Sequence, residues 1–326
     1  MFKRLSADLS LDLDNKWSYM KTHGDPEWSS YPSYLNLVIP YFLDILDEHD
    51  LKITVFVVGQ DAVVESNQDA LRMISERGHE IGNHSFNHEP WLQRYTREQL
   101  VAELEKAEQA IANISQQKLI GFRGPGYSLS DDVLEVLCER GYQFDGSTLP
   151  TFLGPLARTY YFFQSKLSKE QSEDRANLFG SFADGFRRLK PYKWKTAKGE
   201  IIEIPVSTIP LIRSPFHFSY LLFLAKYSET LATMYFRFAL LMCKLTRTSP
   251  SLLLHPLDFL GGDEIEELSF FPGMDLDGEY KRKFCSRMLG IYAKNFNVLP
   301  MGQRAAELKE IQSRLPIKKY PRPEMA

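Results

Sequence analysis

Short β-branched or leucine-rich runs, each followed by a helix-length stretch, recur along the chain, and this alternation restricts the fold more than any other feature. The runs lie at 53–59, 80–82, 119–122, 142–144, 201–204, 252–255 and 297–299, bounded by Gly or polar turns. Between them, helices are expected at 35–49, 67–77, 96–115, 130–140, 276–294 and 303–314. Thr96 and Gln99 are spaced as a capping box, Ser130 caps the next helix, and Gly78 and Gly141 close theirs. Strand–helix alternation with polar loops after the strands predicts a parallel α/β barrel or sheet. The units share no sequence, so this is not a repeat array.

The first strand reads Asp8-Leu9-Ser10-Leu11-Asp12-Leu13-Asp14, with unbroken period two. Asp12 and Asp14 therefore point the same way, about 6–7 Å apart at roughly 3.3 Å per residue. Two carboxylates on one side call for a positive partner; a solvent-facing edge strand is the alternative. A calcium loop lacks its Gly and its closing Glu. Residues 15–34 read as a loop rich in Trp17, Tyr19, Trp28, Tyr31 and Tyr34, either a substrate wall or packing over the mouth of the sheet.

The regularity lapses between about 150 and 200, an insertion ending in the aromatic and basic block from Phe186 to Lys195. The segment 215–247 then carries an apolar stripe, Leu231, Met234, Tyr235, Phe238, Leu241, Met242 and Leu245, at helical spacing. It reads either as a core helix beside a solvated charged face or as a surface docking on an anionic membrane. Residues 1–315 are expected to form a single domain, with 316–326 a frayed tail.

Composition narrows the function. A formal net charge of −3 over 326 residues argues against a nucleic-acid partner. Three scattered cysteines, Cys138, Cys243 and Cys285, read as free thiols rather than a disulfide framework. The N-terminus lacks an apolar signal region and no run is long enough to span a bilayer, so the expected location is cytoplasmic, peripheral to the inner face of the membrane.

The chemistry concentrates in Asn83-His84-Ser85-Phe86-Asn87-His88. Two histidines four apart share a face on a helical turn and can aim both imidazoles at one point. A catalytic metal site takes three protein ligands and keeps one position open for water. The Asp12/Asp14 pair, Arg123-Gly124-Pro125, Asp145 and Leu254-His255 each follow an expected strand. His23, His49, His79 and His217 have no motif around them and read as ordinary core or surface histidines.

This ordered set resembles the polysaccharide deacetylase family, carbohydrate esterase family 4, over residues 5–150 and 250–302. The resemblance implies an irregular (β/α)7 barrel. It implies a divalent metal, usually Zn2+, on Asp14, His84 and His88, with Asp12 as general base oriented by Arg123. It further implies His255 as general acid tuned by Asp145, and an oxyanion cradle near the Tyr127 backbone; Trp17 is the candidate substrate contact. In the family the first motif commonly has adjacent aspartates. Here Leu13 separates them, as in a branch that includes lipid-linked sugar deformylases and some peptidoglycan deacetylases. The fourth motif often carries a Trp, absent from Asp145-Gly146-Ser147. The implied activity is hydrolysis of an N-acyl amino sugar, with polyprenyl-phosphate-linked sugar favoured over a polymer. A metal-poor amidase of a small amide and a catalytically silent membrane-bound protein are the alternatives.

Overall fold

Leu9, Leu11 and Leu13 alternate with Asp8, Ser10 and Asp12 along β1 (Ser6–Leu13), yet both sets are buried. The computed structural model describes residues 4–154 and 182–321, and in it β1 lies inside the sheet. It runs parallel to β2 (Thr54–Val57) on one side and β8 (Ser251–Leu254) on the other, with Leu11 opposite Val55 and Leu254. The solvent-facing edge strand is thus excluded. The alternation separates two buried faces: the leucines join the main apolar core with Val38, Phe42 and Leu46, and the polar side chains face a buried arginine.

The other strands are β3 (Glu80–Asn83), β4 (Gly121–Phe122), β5 (Phe144–Asp145), β6 (Tyr192–Lys195), β7 (Glu200–Glu203), β9 (Asn297–Leu299) and β10 (Ile317–Lys318). Their order is β10-β6-β7-β5-β4-β3-β2-β1-β8, with β9 on the start of β1. All pairs are parallel except β6–β7. The fold is α/β, as expected. Among the described residues no ladder joins β8 to β10, so the sheet is open where a closed barrel was expected. Leu13, Val57, Asn83, Phe122 and Asp145 occupy one rung across five strands. Asp14, His84 and Arg123 therefore follow one residue beyond it, at the carboxyl ends of parallel strands, where ligand sites of such sheets form.

Helices α1 (Lys16–His23), α2 (Leu35–Glu48), α3 (Gly59–Ala62), α4 (Gln68–Glu76), α5 (Arg97–Ala112), α6 (Asp131–Arg140), α7 (Phe218–Ala225), α8 (Glu229–Leu245), α9 (Gly278–Asn295) and α10 (Met301–Glu310) link or flank the strands. The capping box at Thr96 and Gln99 forms, and Ser130 caps α6. Three expectations change. The loop at 15–34 contains α1, started by the Asn15 side chain on the Lys16 N–H and stopped by Gly24 at φ 93°. The basic block contributes β6, with Lys193 and Trp194 in the ladder. The tail is not frayed through Pro321: β10 pairs with β6, and the Tyr320 hydroxyl donates to the Leu129 carbonyl at 2.7 Å. Residues 155–181 of the expected insertion, and 322–326, lie outside the described residues.

One glycine in the sheet has a specific task. A Cβ on Gly82 would lie 2.4 Å from the Phe56 ring, and that ring lies 4.5 Å beneath the Arg123 guanidinium. Gly82→Ala is therefore expected to destabilise the fold by about 1–3 kcal/mol through overpacking. Urea denaturation checks this, and an unchanged midpoint would show that Phe56 moves freely.

Candidate active site

Asp14 Oδ1 lies 3.3 Å from His84 Nε2 and 2.9 Å from His88 Nε2. One donor atom from each of the three residues falls within 4.8 Å of the others, and all three side chains are buried. His84 Nδ1 sits 2.7 Å from the Arg123 carbonyl oxygen. A carbonyl can only accept, so Nδ1 carries the hydrogen, and in the neutral ring Nε2 turns its lone pair toward Asp14. Asp14 Oδ1 and both His88 ring nitrogens are buried without a hydrogen-bond partner. Lone pairs and a carboxylate facing one another without a donor suit a cation, so these residues fit a divalent metal.

Without the ion, electrostatics push the same way. Burial raises the Asp14 carboxyl, but the His88 and His84 imidazoles outweigh it and hold the group well below the usual carboxylate range. Burial lowers His84, while Asp12, Asp14 and the Arg123 carbonyl more than offset this and hold it above its ordinary value. The pocket favours positive charge between these groups, and a bound cation would supply it in place of a proton.

The histidines do not converge on a helical turn, as their spacing suggested. Residues 84–88 form an irregular bend, with Ser85 at φ 64° and His88 at φ 52°. Left-handed backbone at non-glycine residues costs about 1–2 kcal/mol each, so other contacts must impose it. Glu103 of α5 does so from below: Oε1 accepts the Phe86 and Asn87 N–H groups at 2.9 and 2.6 Å, and Oε2 the Asn87 amide at 2.6 Å. The Ser85 N–H donates to Asn83 Oδ1 and the His88 N–H to Ser85 Oγ. The start of α3 donates the Gly59 and Gln60 N–H groups to the Ser85 and Phe86 carbonyls.

Arg123 is fully buried and orders the rest. Nη1 donates to Asp12 Oδ1 at 2.7 Å and to Ser10 Oγ at 2.9 Å, and Nε to the Gly146 carbonyl at 2.9 Å. The expected Asp12–Arg123 pair is formed. Asp145 lies behind it. Its oxygens accept from the Ser147 N–H and hydroxyl at 3.1 and 2.6 Å, and Ser147 Oγ accepts the Gly124 N–H at 2.8 Å. Glu203, opposite Asp145 on β7, accepts from Thr148 and Trp194. Burial raises both acids, and the Asp145 charge and hydrogen bond raise Glu203 further, while Glu203 pulls Asp145 back down. The contacts of Asp145 run to the Arg123–Gly124 loop, and the acid beside His255 is Asp258.

His255 follows β8, whose Leu254 pairs with Leu11, which places it beside Asp12. Asp258 Oδ2 accepts its N–H at 2.8 Å, while Oδ1 accepts the Ser219 hydroxyl of α7 at 3.0 Å. Tyr127 stands at φ 61° with its N–H donated to the Gly124 carbonyl. Its phenol reaches the site: burial raises its pKa, Asp12, Tyr220 and Asp14 push the same way, and Arg123 opposes them. Trp17 is buried on α1 rather than open as a platform. Its indole N–H donates to Asp61 at 2.9 Å and its ring meets the His88 ring edge-on at 6.2 Å.

Two participants had no motif. Glu103 was signalled only as an acid on the apolar face of α5, between Leu100 and Leu104. His217, read as an ordinary histidine, is buried 6.3 Å from the His255 ring with Nδ1 unpartnered. Burial first, then the charges of His255 and Arg123, push it down to about 3.

Residues 29–144 match the family model described as polysaccharide deacetylase. Over this region the chain is similar to the polysaccharide deacetylase family. It is 34% identical over 111 residues to the peptidoglycan-N-acetylmuramic acid deacetylase PdaA of Bacillus subtilis, covering 34% of this chain and 41% of that protein. It is 30% identical over 104 residues to a peptidoglycan-N-acetylglucosamine deacetylase of Bacillus cereus, covering 32% and 47%. The matched regions thus span less than half of these curated relatives. The solved structure of a Mycobacterium smegmatis protein assigned to the polysaccharide deacetylases superposes with a TM-score of 0.66 at 19% identity, over 99% of this chain and 96% of that one, and shares the fold.

Removing the Glu103 carboxylate leaves the Phe86 and Asn87 N–H groups unpaired. Glu103→Ala is expected to weaken Zn2+ binding about 10–100-fold, read by calorimetric titration; equal affinity would confine Glu103 to a structural role. The His217 imidazole is expected to remain neutral on acidification from pH 8 to about pH 4, since its pKa lies near 3. Nitrogen-edited NMR of the ring tests this, and protonation near pH 6 would contradict the burial argument.

Proposed function

We propose that this protein is a divalent-metal-dependent hydrolase that removes an N-acyl group, acetyl or formyl, from an amino sugar. We further propose that the sugar is carried on a lipid, of the polyprenyl-phosphate kind, at a membrane face. The observation that carries the first part is the cluster of Asp14, His84 and His88 donors with buried, unpartnered atoms, beside the Arg123–Asp12 pair and His255. The named relatives act on N-acetylated amino sugars of peptidoglycan, which supports the substrate class. The exposed apolar and basic face of α8 supports the lipid-linked preference.

Zn2+ held by Asp14, His84 and His88 would polarise the acyl carbonyl and lower the pKa of a water there. Asp12, fixed by Arg123, takes the proton of the attacking water as general base. His255 gives a proton to the departing amine. A neutral His217 beside it adds no second positive charge there. Tyr127 lends its phenol to the rim, since its N–H is engaged in the turn. Asp145 acts through Ser147 and Gly124 as a positioning residue.

The test couples metal content to amine release from N-acetyl and N-formyl amino-sugar glycolipids. His255→Ala is expected to lower turnover about 10²–10⁴-fold with the metal retained, whereas Asp14→Ala loses metal and turnover together. Bound metal without amine release from either glycolipid would reject that substrate. A protein that binds no metal would reject the mechanism.

A further inference from the structure

Helix α8 turns two different faces outward and inward. Ala232, Phe236, Ala239, Leu240 and Cys243 pack inward. Leu231, Met234, Phe238, Leu241 and Leu245, spaced three and four apart, form a stripe exposed by 43–70%. Phe223 and Tyr227 at the end of α7 extend it. So long an apolar surface is unusual on a monomer and marks an interaction site.

The charges around the stripe select the partner. Arg237 and Lys244 flank it on one side, a helical repeat apart, and both are exposed. Arg237 has no acidic partner among the described residues, and Lys244 meets only the Asn295 amide oxygen and the Phe296 ring. The one acid on α8, Glu229, is neutralised by Arg287 at 2.5 Å. At its carboxyl end the stripe runs into a groove of about 530 Å3, lined by Phe186, Arg188, Lys190, Leu211 and Arg213 among others. A second copy docked on this face would bring like charges together. An anionic lipid surface would neutralise them while its acyl region covered the stripe. No helix among the described residues is long and apolar enough to cross a membrane, so α8 would lie in the interface.

We propose that the α7–α8 hairpin is a docking surface for an anionic bilayer, with the α8 stripe inserted and Arg237, Lys244, Arg188 and Lys190 on the headgroups. The proposal deepens the reading of a lipid-carried substrate and rests on it for its purpose. The same hairpin reaches the site: His217 precedes α7, and Ser219 bonds Asp258, which holds the His255 N–H. Docking would therefore set the site beside the lipid.

The experiment is co-sedimentation of the full chain with vesicles of phosphatidylcholine alone and of phosphatidylcholine with 30–40% phosphatidylglycerol, a range of roughly one anionic lipid in three. Binding is expected only to the anionic vesicles. Arg237→Gln with Lys244→Gln should weaken it about five-fold per charge removed, and Met234→Glu with Leu241→Glu should abolish it. Circular dichroism and Zn2+ content confirm that both double variants remain folded. Absence of binding to any vesicle overturns the proposal, as does equal binding to both kinds. A dimer in sedimentation velocity that Met234→Glu with Leu241→Glu dissociates, without vesicle binding, overturns it in favour of a self-interface. Vesicle binding without turnover of either glycolipid leaves this proposal standing and rejects the lipid-carried substrate. Turnover of a glycolipid without vesicle binding does the reverse.

Discussion

The buried guanidinium of Arg123 is the interaction on which the rest of the mouth depends. It touches Ser10 and Asp12 on β1, accepts the Phe56 ring of β2 beneath it, and bonds the Gly146 carbonyl after β5. Its own carbonyl fixes the His84 ring after β3. One residue therefore sets both the carboxylate proposed as base and the tautomer of a proposed metal ligand. A charge so completely buried is tolerable only because its donors are satisfied at close range. Behind it, burial and the Asp145 charge push Glu203 well above the usual carboxylate range, which disfavours a second negative charge in that interior.

The histidine loop depends on a second constraint. Its left-handed residues are held by Glu103, by Asn83 Oδ1 on the Ser85 N–H, by Ser85 Oγ on the His88 N–H and by the first turn of α3. Strain maintained by surrounding contacts is common where geometry must be fixed before a ligand arrives. Trp17 closes the other side of His88, tied through Asp61 to Asn15 at the start of α1. Burial pushes the Asp61 carboxyl up to about 7 despite those two donors, so it too belongs to the enclosed interior.

Much of this was legible in the sequence because strand, cap and turn signals are local. The alternation at 8–14, the capping box at Thr96 and Gln99 and the glycine stops at Gly78 and Gly141 all predicted elements that form. What escaped were features fixed by distant contacts. Helix α1 has weak periodicity and owes its start to Asn15 and its placement to Asp61. Strand β10 exists because β6 offers it an edge. The period-two pattern of β1 could not distinguish water from a buried polar face, since both demand the same residues. His217 carried no motif because its partner, His255, comes from a different element. The spacing of His84 and His88 suggested convergence, but a helical turn was the wrong means to it.

The bond from Ser219 to Asp258 has a consequence for how such a site can diversify. The proposed proton donor takes its bearings from the helical hairpin, whereas the proposed cation ligands take theirs from the central strands. The two halves of the chemistry thus have separate scaffolds. Exchange of the hairpin among relatives could retune leaving-group protonation, or the kind of surface approached, while the grip on the ion stayed as it was.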